Sequence, residues 1–173
     1  MKIDFKEALE KVKQHQDIEN SIEGGYFLNS GTAIFKPHME GLDRWIITFY
    51  SPKEEEVVQG IIKKQGEVTF KKSAKAIDPS TEEIDLDKVK ITAEEALEKT
   101  KRERTEQKDE EGGINQVILS VKKNDEKEEV WEVNLITLSF SLFQARINAS
   151  TGEVIFSNEE SLIKGDKGLP FIQ

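Results

Sequence analysis

The chain has no cysteine. Disulfides, thiolate nucleophiles and cysteine-ligated zinc are therefore excluded, and a reducing compartment is compatible with that absence. Histidine is nearly absent too, with only His15 and His38. There is no H-E-x-x-H pair, no glycine-rich phosphate loop and no serine-centred elbow. No apolar run approaches the length of a membrane span, so no membrane insertion is expected. The first residues, MKIDFKEALE, lack the apolar centre of a signal peptide. The expectation is a soluble chain, cytoplasmic as given and extracytoplasmic if a leader has been removed. Basic charge is also in short supply, with 25 Lys and Arg against 34 Asp and Glu and a net charge of −9. Binding along a phosphate backbone needs clustered cations, so no nucleic-acid partner is expected.

What is present suits a folded chain. Hydrophobic residues make up 36% and charged residues 34%, and the aromatics fall at intervals, as in a series of short strands rather than in disorder. The Lys- and Glu-rich composition resembles that of thermophile proteins.

The residue pattern predicts a helix from Asp4 to about Gln16. Asp4 is the N-cap, Glu7 stands at the capping-box position, and Phe5, Ala8, Leu9 and Val12 form an apolar face. The helix runs out near Asp17 to Asn20, and Gly24-Gly25 marks a turn. Four strands follow: Tyr26 to Phe35 (interrupted near Asn29 to Gly31), Arg44 to Tyr50, Val57 to Lys64, and Glu67 to Lys72. In the second, Trp45, Ile47 and Phe49 share one face. Residues 73–90, with Pro79 and the acidic Asp78, Glu82, Glu83, Asp85 and Asp87, read as a connection.

The order then restarts. Thr92 and Glu95 repeat the cap, and Glu95 to Lys99 repeats Glu7 to Lys11 letter for letter at an offset of 88 positions. Glu111-Gly112-Gly113 repeats Glu23-Gly24-Gly25 at the same offset. Trp131 answers Trp45, and Gly152-Glu153-Val154 answers Gly66-Glu67-Val68, both at an offset of 86. One two-residue shift aligns all four matches, which points to an internal duplication. The expected fold class is α+β: two tandem copies of a helix followed by a roughly four-stranded antiparallel sheet. The expected division is 1–72 for the first copy, 73–90 for the linker, 91–158 for the second copy and 159–173 for a C-terminal tail. In the second copy Trp131, Val133 and Leu135 should face the helix, as should Phe143, Ala145 and Ile147. A copy of roughly 60–70 residues is marginal alone, so the two should pack on each other by sheet edges or open faces.

The stretch from Ala145 to Val154 reads ARINASTGEV, and Trp131-Glu132-Val133 opens the preceding strand. With the helix before them, these residues resemble the PepSY family, whose repeats carry a W-x-V strand and end in a "D-a-x-T-G-e-v" turn. The resemblance covers about 91–158; over the first copy only the Gly66-Glu67-Val68 end of the signature is kept, and Asn148 stands where the family has Asp. It implies a cystatin-like helix-on-sheet fold, often duplicated, and a role in binding or restraining peptidases or else an undefined extracytoplasmic binding role. It implies no catalytic residues, because the motif is structural.

The residues that could carry chemistry are few. His15 and His38 read as helix-end and loop residues. The carboxylate runs Glu54 to Glu56, Asp109 to Glu111 and Asp125 to Glu129 fall in predicted turns, and Asp125 to Glu129 lacks the glycine and spacing of a calcium loop. Ser80-Thr81 and Ser139-Phe140-Ser141 have no base beside them. Lys101 to Arg104 is the one basic cluster, placed where cations suit a helix C-terminus. No catalytic, metal-binding or cofactor-binding residue emerges, and no cofactor is expected. The expected function is a non-enzymatic module that binds a protein partner, through a sheet edge or the cleft between copies. The alternative is a carrier of a small apolar ligand between helix and sheet. A deep apolar pocket would favour the carrier; a packed core with an exposed edge or apolar patch would favour the binding module. Homodimerisation through free sheet edges is expected to be open to either.

Overall fold

The computed structural model describes residues 4–37, 41–73, 82–107 and 113–163. Within them the fold is α+β. Helices α1 (Phe5–Lys13) and α2 (Gln16–Glu23) precede strands β1 (Phe27–Lys36), β2 (Gly41–Ser51), β3 (Glu56–Lys63) and β4 (Val68–Ser73). Helix α3 (Ala93–Gln107) precedes β5 (Ile114–Lys123), β6 (Glu129–Thr137), β7 (Ser141–Asn148) and β8 (Val154–Ser161). All eight strands form one antiparallel sheet in the order β4-β3-β2-β1-β5-β6-β7-β8. The seam is β1 against β5, with Gly31 opposite Val121 and Phe35 opposite Val117.

Alternation along the strands decides which face is covered. Trp45, Ile47 and Phe49 of β2, Trp131, Val133 and Leu135 of β6, and Phe143, Ala145 and Ile147 of β7 are all buried. The residues between them in β6 and β7, Glu132, Asn134, Gln144 and Arg146, are only partly covered. Helix α1 lies over β2 and β3, and α3 over β6 and β7. Phe5, Ala8, Leu9 and Val12 of α1 join Ala96 of α3 and both tryptophans in one apolar cluster. Phe5 sits at its centre, its ring centroid 5.7 Å from that of Trp45 and 6.1 Å from that of Trp131. Glycine lets the helix settle this low: a Cβ on Gly31 would stand 2.3 Å from Phe5 Cε2, and one on Gly60 2.2 Å from Val12 Cγ1.

The helix ends follow their capping chemistry. Asp4 accepts the Lys6 N–H at 2.6 Å, while Glu7, expected to reach back to the cap, pairs with Lys11 at 3.6 Å instead. Thr92 and Glu95 form the complete capping box, Glu95 N–H to Thr92 Oγ1 at 3.1 Å and Thr92 N–H to Glu95 Oε2 at 2.7 Å. The chain does not leave the helix for good near Asp17 to Asn20. His15 caps α2 by accepting the Asp17 N–H, and Ile18 anchors that helix in the core. The interruption expected in the first strand is a register shift at Asn29.

The stretch from Glu82 to Ile91 is tied to both sides of the seam. Ile84 N–H donates to Leu28 O at 3.0 Å, and the N–H groups of Lys90 and Ile91 share Ala149 O at 2.9 and 3.0 Å. Ile84 and Val89 are buried, and Trp131 Nε1 donates to Ile91 O at 3.1 Å.

The turn after β7 accounts for the Asn-Ala-Ser-Thr-Gly signature. Asn148 Oδ1 accepts the N–H groups of Ser150 and Thr151 at 2.9 and 3.0 Å, an Asx turn. Thr151 Oγ1 takes the Glu153 N–H, and Gly152 carries the positive φ of 80° that closes the reversal.

Candidate interaction surface

The sheet ends in β4 and β8, each paired with one strand alone among the described residues. Strand β8 is held to the body from the helix side. Arg104 of α3 pairs with Glu159 at 3.5 Å, with side chains only 12% and 7% exposed, and Ser157 Oγ donates to Glu103 at 3.3 Å. On the other face the Arg146 guanidinium lies 5.7 Å over the Phe156 ring, a cation–π contact. Arg146 also pairs with Glu132. A register shift between Arg146 and Ile147 leaves Ile155 as the extra residue of a bulge.

Exposed apolar side chains gather at the two ends of this edge. Ile155 and Phe156 are 46% and 45% exposed at its start. At its far end Leu138 and Phe140 are 64% and 59% exposed on the β6–β7 turn, and Ile163 is 49% exposed. The turn itself is braced by hydrogen bonds. Buried Thr137 uses Oγ1 to hold Ser139, Ser141 Oγ and the Ser141 N–H at 2.8–3.0 Å, and Phe140 takes a φ of 59°. Leu162 N–H donates to Phe140 O at 2.8 Å, which brings Ile163 beside the turn. Sequence reasoning weighed Ser139-Phe140-Ser141 only as hydroxyls with no base beside them and did not single out the apolar Leu138 and Phe140. The available signal was a break in alternation between two strands with no Gly or Pro to mark it.

The other candidates are placed as structural groups. His15 caps α2 and stacks on Phe70 at 6.0 Å. His38, Asp78, Ser80-Thr81 and Asp109 to Glu111 lie outside the described residues. Glu54 and Glu55 are exposed in the β2–β3 turn. Glu56 accepts the Tyr26 hydroxyl at 2.9 Å and pairs with Lys72 at 3.2 Å. Those two bonds hold its carboxyl below the usual range. Burial, with the Glu56 carboxylate beside it, pushes the Tyr26 phenol up to about 12. Lys127 does to Glu82 what Lys72 does to Glu56.

Glu129 departs from the expectation of solvated carboxylates in the run from Asp125. Its side chain is fully buried, paired with Lys123 at 3.3 Å and receiving the Asp85 N–H at 3.4 Å. Asp85 and Lys123 line an open polar recess of about 480 Å³, walled also by Glu82, Glu83 and Asp87. Among the described residues no group of three or more His, Asp or Glu is arranged to hold a metal ion. No helix described is long and apolar enough to cross a membrane.

No protein-family model matches the chain, and no curated protein matches it. Its fold is similar to a crystal structure of a "putative lipoprotein" from Clostridium difficile 630, with a TM-score of 0.61. The match covers 92% of this chain and 94% of that one at 11% identity. At that identity the likeness concerns the fold alone.

Proposed function

We propose that this chain is a non-enzymatic binding module that engages a protein through the β8 edge and the apolar side chains at its ends. The observation that carries the reading is the contrast between a filled interior and an unfilled edge. Phe5, Trp45 and Trp131 occupy the space under the helices, where an apolar ligand would have to sit, while β8 is a terminal strand that pairs only with β7 among the described strands. Strand addition supplies main-chain hydrogen bonds, and side chains flanking the edge supply specificity. Leu138 and Phe140 are well suited to that second task because the turn braced by Thr137 holds them out into solvent, and a braced turn loses less freedom on binding.

We also infer that the two halves are copies of one PepSY-like unit joined across the β1–β5 seam. Helix-then-four-strands stands on each side of that seam in mirrored strand order, which supports the reading, as does the Asn148 turn. A role in restraining peptidases follows from that resemblance. An extracytoplasmic setting is consistent with the likeness of the fold to that of a "putative lipoprotein".

The test is capture from native lysate with the intact chain and with a Leu138→Lys, Phe140→Lys variant, whose changes fall on exposed positions. A protein, a peptidase above all, retained by the wild type and lost by the variant is the expected result. Equal capture by both baits would sink the site. A small molecule seen by native mass spectrometry on the purified chain would transfer the case to the carrier reading.

A further inference from the structure

The two strands that end the sheet among the described residues differ in charge. Strand β4 carries the adjacent cations Lys71 and Lys72, and β8 the adjacent anions Glu159 and Glu160. Seven antiparallel pairings separate the two strands in the sheet, so β4 and β8 run in opposite directions. A second copy placed beside the first, with helices on the same side, therefore brings its β4 antiparallel to the first copy's β8 and continues the sheet. We propose that these edges pair head to tail, β8 of one copy with β4 of the next. This rests on the reading of β8 as a binding edge and names its partner as a second copy of this chain.

Register and facing support the pairing. In an antiparallel ladder, setting Glu160 opposite Lys71 also sets Glu159 opposite Lys72, because each pair is contiguous. The faces agree. Lys71 sits opposite Gln59, whose amide bonds Thr48 on the helix-free face, and Glu160 alternates with Glu159, which points to α3. Lys72 sits opposite buried Val58 on the helix face, as Glu159 does on its own edge. Glu159 already has Arg104 and Lys72 already has Glu56. The new ion pair is therefore Lys71 with Glu160, both exposed. Asn158 falls opposite Ser73 and Ser161 opposite Phe70, which ends the ladder where β8 ends.

The same charges oppose the self-complementary alternatives. A two-fold β4–β4 pair sets lysines against lysines, and a β8–β8 pair sets glutamates against glutamates, both costly across a ladder. What remains is the heterologous contact, which closes into a ring or extends as an open chain rather than stopping at a dimer. The ladder is short and its charges exposed, so the association is weak and salt-sensitive.

Sedimentation of the purified full-length chain from micromolar to millimolar concentration tests this. The weight-average mass should rise above the monomer's 19.7 kDa with concentration at low salt and fall back at high salt. Lys71→Glu should raise the dissociation constant roughly five- to tenfold, and adding Glu160→Lys to the same chain should restore association, each with an unchanged thermal midpoint. A mass that stays at the monomer throughout overturns the proposal. So does association that Lys71→Glu leaves unchanged, or that the charge-swapped chain fails to recover. Self-association needs no lysate, so its failure leaves partner capture by the Leu138 and Phe140 surface as a separate result.

Discussion

The ring of Phe5 rests on the bare Cα of Gly31, so close that a Cβ there would stand 2.3 Å from Phe5 Cε2 and 2.7 Å from Cδ2. Phe5 belongs to the first helix and Gly31 to the strand at the seam, and the ring touches the tryptophan of each half. Gly31→Ala sets two effects against each other. Loss of chain entropy in the unfolded state favours alanine by about 0.4–1 kcal/mol. The clash costs about 1–3 kcal/mol, because Phe5, wedged between two indoles, has nowhere to go. Sterics should win, lowering the urea midpoint, and Phe5→Leu in the same chain should recover part of the loss. Unchanged stability in Gly31→Ala would mean the helix can lift off the sheet.

Asn148 does two jobs, and aspartate could do only one. An aspartate would keep the bonds to Ser150 and Thr151 but could not donate to Glu128, as Asn148 Nδ2 does at 2.9 Å. It would also set two carboxylates side by side. Asn148→Asp should therefore cost about 0.5–1.5 kcal/mol at neutral pH, an effect that shrinks as the pH falls into the carboxylate range. A thermal-midpoint series against pH reads this directly.

The Tyr26–Glu56 pair predicts two limits of stability. Glu56 is held below its ordinary value, so its contribution is complete above the unfolded carboxyl value and is lost as pH falls through the folded one. Tyr26 moves the other way, from 10.0 to about 12, so its contribution is complete below pH 10 and disappears between there and about 12. The difference in phenolate absorbance between wild type and Tyr26→Phe should show one phenol ionising near the upper figure. Ionisation at the ordinary value would contradict the bond to Glu56.

Much of this architecture was legible because the alternation is strict where one face is buried. Trp45-Ile47-Phe49 and Trp131-Val133-Leu135 could be assigned to the covered face from spacing alone. Helix α2 was missed because only Ile18 of its eight residues is buried, and a polar helix that short leaves no apolar stripe. The β1–β5 seam has no local signature, since pairing of residues some 88 positions apart, as Thr32 and Ser120 are, depends on the whole sheet. The exposed Leu138 and Phe140 were hidden for a different reason. The turn that presents them is built from Thr137 hydroxyl bonds and a positive φ at Phe140, with no Gly, Pro, Asn or Asp to announce a reversal.

The seam also bears on whether either half exists alone. Residues 91–173 on their own would lose Phe5 and Trp45 from against Trp131, and the apolar contacts of Val117, Leu119 and Val121 would be stripped on one side. Strand β5 would become a free edge with the alternation of an interior strand and no outward charge until Lys122, the kind of edge that pairs with whatever is near. The contacts within this half, α3 over β6 and β7, bury only Ala93, Ala96 and Thr100 from the described helix side chains, far less than α1 contributes with Phe5, Leu9 and Val12. A fragment of that size with so thin a core should not fold as a cooperative monomer. Circular dichroism and sedimentation should find residues 91–173 either unfolded or associated, and mixing with residues 1–90 should restore a sharp transition as the seam forms. If the fragment melts cooperatively as a monomer, the halves are autonomous and the Phe5–Trp45–Trp131 contact is a docking surface between them rather than the centre of a shared core.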